Sequence, residues 1–330
     1  MSKTVWTNPR TVSQGSGWFV NWADFPSVVQ LDEDFLAAHW LEKKSGGPYA
    51  YDVKLSISKD GGANWSNGFL AHHDKTATEH GFVSLFPMQN GLGAVWLDGR
   101  KTIPSQDEDN RAMTLRSGSF STQGETLSEV ELDPRTCDCC QTDAAIVRGN
   151  PVIAYRDRDQ DEIRDIKLIK HDHGAWSAPQ LLHRDDWKIR GCPVNGPAID
   201  ARNQLVAVAW FTAPSGQGRV MLALSTDGAE NFNETTVVAT SGNGRVDVSI
   251  LPNDSITVLW MGKSQGETAS LRIKTFDLNL NIINERVISD VTASRTSGFP
   301  QMVSTDEHLV LAWTDVSPEG QWVKTAVLPH

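Results

Sequence analysis

The chain has 330 residues, a formal net charge of −11 and 39% hydrophobic residues, among them 12 Trp and 11 Phe. That composition supports a large core, and no run approaches the roughly 18 apolar residues of a membrane span. The acidic balance argues against nucleic acid or an anionic membrane surface as the main partner.

Six times a short apolar run ends in an aromatic residue and gives way to polar loop residues. The runs end at Trp40, Trp96, Tyr155, Trp210, Trp260 and Trp313, at intervals of 56, 59, 55, 50 and 53 residues. Such runs lack alternation, which marks strands buried on both faces. A short alternating segment precedes most of them: Phe25–Val29, Gly81–Leu85, Gly196–Ile199, Arg245–Ile250 and Gly298–Val303. An alternating third strand follows each: Asp52–Ser58, Arg111–Arg116, Ile163–Lys170, Val220–Ser225, Leu271–Phe276 and Trp322–Val327. More polar segments then suit an outer edge. A period near 50 built from strands predicts an all-β fold, a six-bladed β-propeller with four-stranded antiparallel blades, as one domain over 1–330. The sixth unit reaches His330 after its third strand, so an N-terminal strand, Lys3–Thr7 or Gly17–Trp22, is expected to close the last blade.

Ser58-Lys-Asp60-Gly-Gly62-Ala-Asn-Trp65 stands between the third and fourth strands of the first unit. A carboxylate accepting turn N–H groups, glycine at positive φ and a tryptophan beneath suit a tight hairpin. The segment resembles the Asp-box of the sialidase superfamily. Ser225-Thr-Asp227-Gly-Ala-Glu-Asn-Phe232 reads as a second copy and Asp172-His-Gly174-Ala-Trp176 as a shortened third. The resemblance implies that Asp-boxes occupy the face opposite the active site. Chemistry then belongs to loops entering first strands or leaving second strands. It also implies three Arg around a substrate carboxylate, a Tyr nucleophile paired with Glu, and an Asp acid. Here Asp24, in Ala23-Asp24-Phe25-Pro26, takes the place of the family's first Arg.

By the repeat rule, Arg100, Arg156, Arg158, Arg164, Arg190 and Arg245 reach the functional face, with Asp24, Asp98 and Asp157 as acid–base candidates. Arg suits forked binding of an anion. The competing reading is a set of Arg–Asp pairs stitching blades together.

The cysteines carry the sharper signal. Cys137, Cys139 and Cys140 fall in Thr136-Cys-Asp-Cys-Cys-Gln-Thr142, and Cys192 lies in Arg190-Gly-Cys192-Pro. Both segments lead into first strands, of the third and fourth units, so all four should meet at one mouth. Three readings stay open: a thiolate metal site, a dithiol/disulfide redox centre, or disulfides pinning two blades. Soft sulfur ligands select Cu(I), or zinc with four ligands, and His80 is a candidate additional ligand.

The leading expectation is a sialidase-like propeller binding a thiophilic metal, copper before zinc, for metal handling or oxidoreductase chemistry. The alternative is a glycoside hydrolase or lyase acting on an anionic sugar, and the third a non-catalytic binding propeller. Residues 1–22 lack the features of a secretory leader. A mature chain whose leader had been removed would read the same way, and a periplasmic or secreted location is expected over a cytoplasmic one.

Overall fold

Each apolar run that ends in an aromatic residue becomes the second strand of a blade, shielded on both faces. The computed structural model describes residues 7–89, 91–103, 110–232 and 234–330. Blade 1 comprises β1 (Ser27–Gln30), β2 (Leu36–Lys43), β3 (Tyr51–Ser58) and β4 (Phe69–Leu70). Blade 2 comprises β5 (His80–Met88), β6 (Gly91–Asp98), β7 (Thr114–Ser121) and β8 (Thr126–Asp133). In blade 3, β9 (Asp143–Val147), β10 (Asn150–Arg156) and β11 (Ile166–Asp172) are edged by two short strands, β12 (Ala175–Trp176) and β13 (Gln180–Leu181).

Blade 4 is β14 (Ala198–Arg202), β15 (Leu205–Thr212), β16 (Arg219–Ser225) and β17 (Glu234–Ala239). Blade 5 is β18 (Gly244–Ile250), β19 (Ile256–Met261), β20 (Thr268–Phe276) and β21 (Ile282–Thr292). Blade 6 is β22 (Gln301–Ser304), β23 (His308–Ser317) and β24 (Gly320–Pro329). Neighbours within every blade run antiparallel in sequence order. The result is an all-β, six-bladed β-propeller.

The repeated aromatics fill the spaces between blades, where large side chains bury the most area. Trp96 packs between blades 1 and 2, Tyr155 between 2 and 3, Trp210 between 3 and 4, Trp260 between 4 and 5, and Trp313 between 5 and 6. The seam between blades 6 and 1 is built differently. Phe299 stacks on Trp22 and tilts against Phe25, with ring centroids 5.9 Å apart in both pairs.

Among the described residues blade 6 has three strands. Of the segments expected to complete it, Lys3–Trp6 lies outside the described residues. Gly17–Trp22 does not complete it, because its backbone finds partners in blade 1. Phe19 N–H donates to Leu41 O (3.0 Å) and Lys43 N–H to Gly17 O (2.7 Å), continuing the inner edge of β2.

The Asp-box reading holds at two of its three places. Ser58 Oγ donates to Asp60 Oδ1 (2.9 Å), and Asp60 receives both the backbone and side-chain amides of Asn64 (2.8 and 2.7 Å). Ser225, Asp227 and Asn231 repeat the pattern bond for bond. Asp172 instead sits in β11 opposite Ala175, across a two-residue hairpin. His173 and Gly174 both have positive φ (48° and 81°), the geometry of a type I′ turn, which requires no capping carboxylate. Asp277 and Asn281 form an Asp-box-like turn in blade 5 that lacks the Ser and Trp of the motif.

Candidate functional site

Loops entering inner strands and loops leaving second strands meet on the face opposite the Asp-boxes. Two walls result. Down the axis, inner strands line a channel of ≈ 470 Å³. Each inner-strand carboxylate there reaches to the next blade. Asp143 accepts the N–H of Ile199 (2.8 Å), Asp200 that of Ile250 (2.7 Å) and Asp247 that of Met302 (2.6 Å). Asp24 accepts the N–H of Phe82 (2.7 Å) in the same way. Burial drives these carboxyls upward, Asp24 and Asp143 to about 7, against the opposing pull of those amide hydrogen bonds. The spacing of Asp143, Asp200 and Asp247 at the starts of first strands was the sequence signal for this ring.

Several of the expected anion-binding arginines are staples as well. Arg156 is fully buried and donates to the backbone carbonyls of Asn195, Arg164 and Phe211 (2.8, 2.6 and 2.6 Å), with its guanidinium 4.9 Å from the Trp187 ring. Arg245 donates to Ser297 Oγ and to the carbonyls of Gly298 and Ser294, over Trp22. Arg100 forks onto Asp98 (2.8 and 2.7 Å) and pairs with Glu129 (2.8 Å). A guanidinium committed to carbonyls in a dry interior cannot also clamp a substrate, so Arg156 and Arg245 are corrected from binding residues to structural ones, while the partly exposed Arg100 is held by carboxylates.

Two of the acid–base candidates are likewise committed. Burial opposes ionisation of Asp98, but the Arg100 fork outweighs it and holds the carboxyl below its usual range. Asp157 pairs with Lys167 at 2.6 Å. Arg190 is exposed at the rim.

The second wall lies between blades 2 and 4, where the cysteines meet. Cys137 pairs with Cys140 and Cys139 with Cys192, with Cα atoms 5.8 and 6.0 Å apart. The Sγ atoms of Cys137, Cys139 and Cys140 lie within 4.8 Å of one another, and Cys192 joins them across 53 residues. Thr136 and Cys137 are held by Arg156 O, the last residue of β10, so the loop is fastened to the blade it enters. Cys137 and Cys140 are buried, whereas Cys192 is exposed.

Arg164 donates to Cys137 Sγ (3.4 Å) and Glu162 (3.0 Å), while its buried Nε has no partner. Arg158 bridges Asp138 and Glu162. The expected extra ligand, His80, is not part of this wall. Its ring stacks on His72 at 3.8 Å, and its nitrogens face backbone carbonyls, Asp74 and Asp98.

Beside the sulfur wall a cavity of ≈ 500 Å³ is lined in part by Tyr49, Glu79, Met113, Asp138 and Arg158. Behind it Tyr51 Oη lies 2.8 Å from Glu79 Oε1 and 2.9 Å from Asp24 Oδ2. One phenol proton cannot serve two carboxylates, so one of the two carboxyls carries a proton of its own. Burial pushes both Tyr51 and Glu79 up. The sequence concealed this trio because its members are 27 and 28 residues apart, on a loop before β1, on β3 and on a loop before β5.

No family model matches the sequence, and no curated protein matches it. Solved structures share the ring. A protein of unknown function from Dyadobacter fermentans is 12% identical, with a TM-score of 0.59 over 93% of this chain and 94% of that one. The Trypanosoma rangeli sialidase in complex with the inhibitor DANA is 12% identical, with a TM-score of 0.54 over 92% and 54%. The alpha-L-arabinanase of Penicillium chrysogenum complexed with arabinobiose is 15% identical, with a TM-score of 0.58 over 97% of both chains. In fold, the chain is a sialidase-like six-bladed propeller. This sialidase-like propeller spans about half the length of the Trypanosoma rangeli chain, and likeness at this level of identity concerns architecture alone. Among its described residues no helix is long and apolar enough to cross a membrane.

Proposed function

We propose that the sulfur wall is a thiophilic metal centre in its reduced state. Cys137, Cys139, Cys140 and Cys192 would be the ligands, with copper(I) first and zinc second. The observation that carries this reading is the meeting of four cysteines from two blades in one small space, with a buried guanidinium against Cys137. Sulfur donors in that number suit Cu(I) or Zn²⁺ and leave the harder ions without a match. Arg164 favours the thiolate over the thiol at Cys137, the form that binds metal. Bound copper would supply one-electron cycling; the chain supplies the ligands, their charge balance and a buried floor.

The two disulfides are then the oxidised, metal-free form. The exposed Cys192 is where a dithiol reductant enters. Its thiolate attacks Cys192 sulfur and Cys139 leaves as thiolate. The reductant's second thiol then displaces Cys192, transferring two electrons and two protons; a second equivalent of dithiol opens Cys137–Cys140 in the same way, so that freeing all four ligands takes four electrons and four protons. Paired cysteines of this kind fit an oxidising, extracytoplasmic compartment.

The test is metal analysis after reduction with a dithiol and anaerobic loading against a chromophoric Cu(I) chelator. One tightly held equivalent is expected, lost in the Cys139→Ser/Cys140→Ser variant. Four titratable thiols with no retained copper or zinc would leave the cysteines as structural disulfides, Cys139–Cys192 joining two loops and Cys137–Cys140 closing one.

A second reading, hydrolysis of an anionic sugar, is favoured by the contact of Tyr51 with Glu79 and Asp24. A hydroxyl flanked by a carboxylate is the pairing a glycosidase nucleophile needs. Full burial of Tyr51 and the commitment of Arg156 and Arg245 to backbone carbonyls oppose it. Release of a fluorogenic aglycone from a sialoside or uronide, abolished by Tyr51→Phe, would establish it; inertness toward both substrates would remove it.

A further inference from the structure

The junction of blades 1 and 2 holds a second group of donors, unrelated to the sulfur wall. His80 opens β5 and is completely buried. Its Nδ1 faces the carbonyls of Tyr51 and Thr78, both at 3.1 Å, which fixes the proton on that nitrogen. Nε2 makes no hydrogen bond, so it turns either a lone pair or a second proton on whatever lies opposite. What it meets instead is two carboxylates: Asp74 Oδ1 at 3.3 Å and Asp98 Oδ1 at 3.7 Å. Bare nitrogen against two anions in a dry interior is repulsive, so a positive centre, either a proton or a metal ion, belongs between them.

We propose that His80 Nε2, Asp74 and Asp98 bind a divalent transition ion of the zinc class. Three separate features agree with this. The first is separation: ligands about 2.0–2.1 Å from a tetrahedral zinc stand roughly 3.3–3.4 Å from one another, and the three donor atoms lie within 4.8 Å of each other. The second is the outer shell. A metal-bound imidazole ordinarily donates its other N–H to a carbonyl, and bound carboxylates are hydrogen-bonded in turn. Here His72 Nδ1 lies 2.6 Å from Asp74 Oδ1, its ring stacked on His80, and Arg100 forks onto Asp98.

The third is charge. Asp74 and Asp98 set two negative charges against a divalent ion, with Arg100 shared among Asp98 (2.7 Å), Glu129 (2.8 Å) and Asp74 (3.7 Å) and Glu129 shared with Arg116 (3.0 Å). The competing arrangement is an imidazolium at His80 shared between Asp74 and Asp98 with no ion. Since His80 and Asp98 are buried, the ion's role would be to lock the loop between β4 and β5 onto β6 rather than to meet substrate.

The test uses the full chain with both disulfides intact, so that no thiol is free to bind. After treatment with EDTA, cobalt(II) is added and the visible spectrum recorded. One equivalent with nitrogen/oxygen-type d–d bands and no thiolate-to-cobalt charge transfer is expected. Zinc should displace the cobalt and raise the melting temperature above that of the EDTA-treated protein. Asp74→Asn should abolish the bands, and His72→Gln should weaken binding about tenfold to a hundredfold while the chain stays folded by circular dichroism. Absence of cobalt bands in folded wild-type protein would overturn the proposal. So would bands that persist unchanged in Asp74→Asn, or a spectrum dominated by sulfur charge transfer. Failure here would leave the cysteine proposal untouched, because the two sites share no ligand.

Discussion

Charged side chains line both walls of the same mouth, but they answer to different partners. Along the axial channel Asp143, Asp200 and Asp247 accept backbone amides of the next blade, and the buried Arg156 and Arg245 likewise spend their guanidinium groups mostly on backbone carbonyls. On the wall between blades 2 and 4, Cys137, Arg164, Glu162, Arg158 and Asp138 face one another. Backbone partners are fixed by the fold, so residues bound to them serve the fold. Side chains that face each other can exchange a partner for a ligand, which makes that wall the better place for chemistry.

That contrast can be broken most directly at Arg156. Replacing it by Met leaves three carbonyls without donors, and urea unfolding should show a loss of about 3–5 kcal/mol. A loss near zero would mean that the backbone-bound charges are not structural. A sharper test is pH. Asp24 and Asp143 have folded-state values of about 7 against 3.8 for the ordinary group. The native state therefore holds protons that the unfolded chain has released. The stability these two groups contribute is fully present below about 3.8 and is lost as pH rises through about 7. Each group adds a slope of up to about 1.4 kcal/mol per pH unit in that window. Asp143→Asn should lose less stability than wild type between pH 5 and pH 8, measured by denaturant midpoints; parallel curves would contradict the assignment.

Tyr51→Phe removes the phenol between Asp24 and Glu79 and should cost about 1–3 kcal/mol by thermal unfolding. Asp60→Ala should lower the melting temperature through its lost turn hydrogen bonds, while Asp172→Ala, at a hairpin with no capping carboxylate, should lie within about 0.5 kcal/mol of wild type. A small stability effect is also expected of Arg158→Ala on the sulfur wall. Its half-buried ion pairs contribute about 1 kcal/mol at most, so stability should barely move while Cu(I) affinity of the reduced protein falls.

Blade number and the place of each second strand were legible because burial on both faces leaves a run of apolar residues that needs no partner to be recognised. Asp-boxes at Ser58 and Ser225 were legible for a similar reason: every bond in them is made within seven residues. The shortened copy at Asp172 misled because a type I′ hairpin also sets an Asp just before a glycine-containing turn and an aromatic just after it, without using a capping carboxylate.

The sequence by itself determined the period, the strands, and the gathering of all four cysteines into loops at one mouth. Only the tertiary structure decided what each charged residue does there. It turned Arg156 and Arg245 into staples, drew His80 away from the sulfurs toward Asp74 and Asp98, and set Tyr51 between two carboxyls. The reason is range. Strand patterns and turn bonds are local in the chain, whereas the partner of a buried charge is whatever the neighbouring blade presents some 50 residues away.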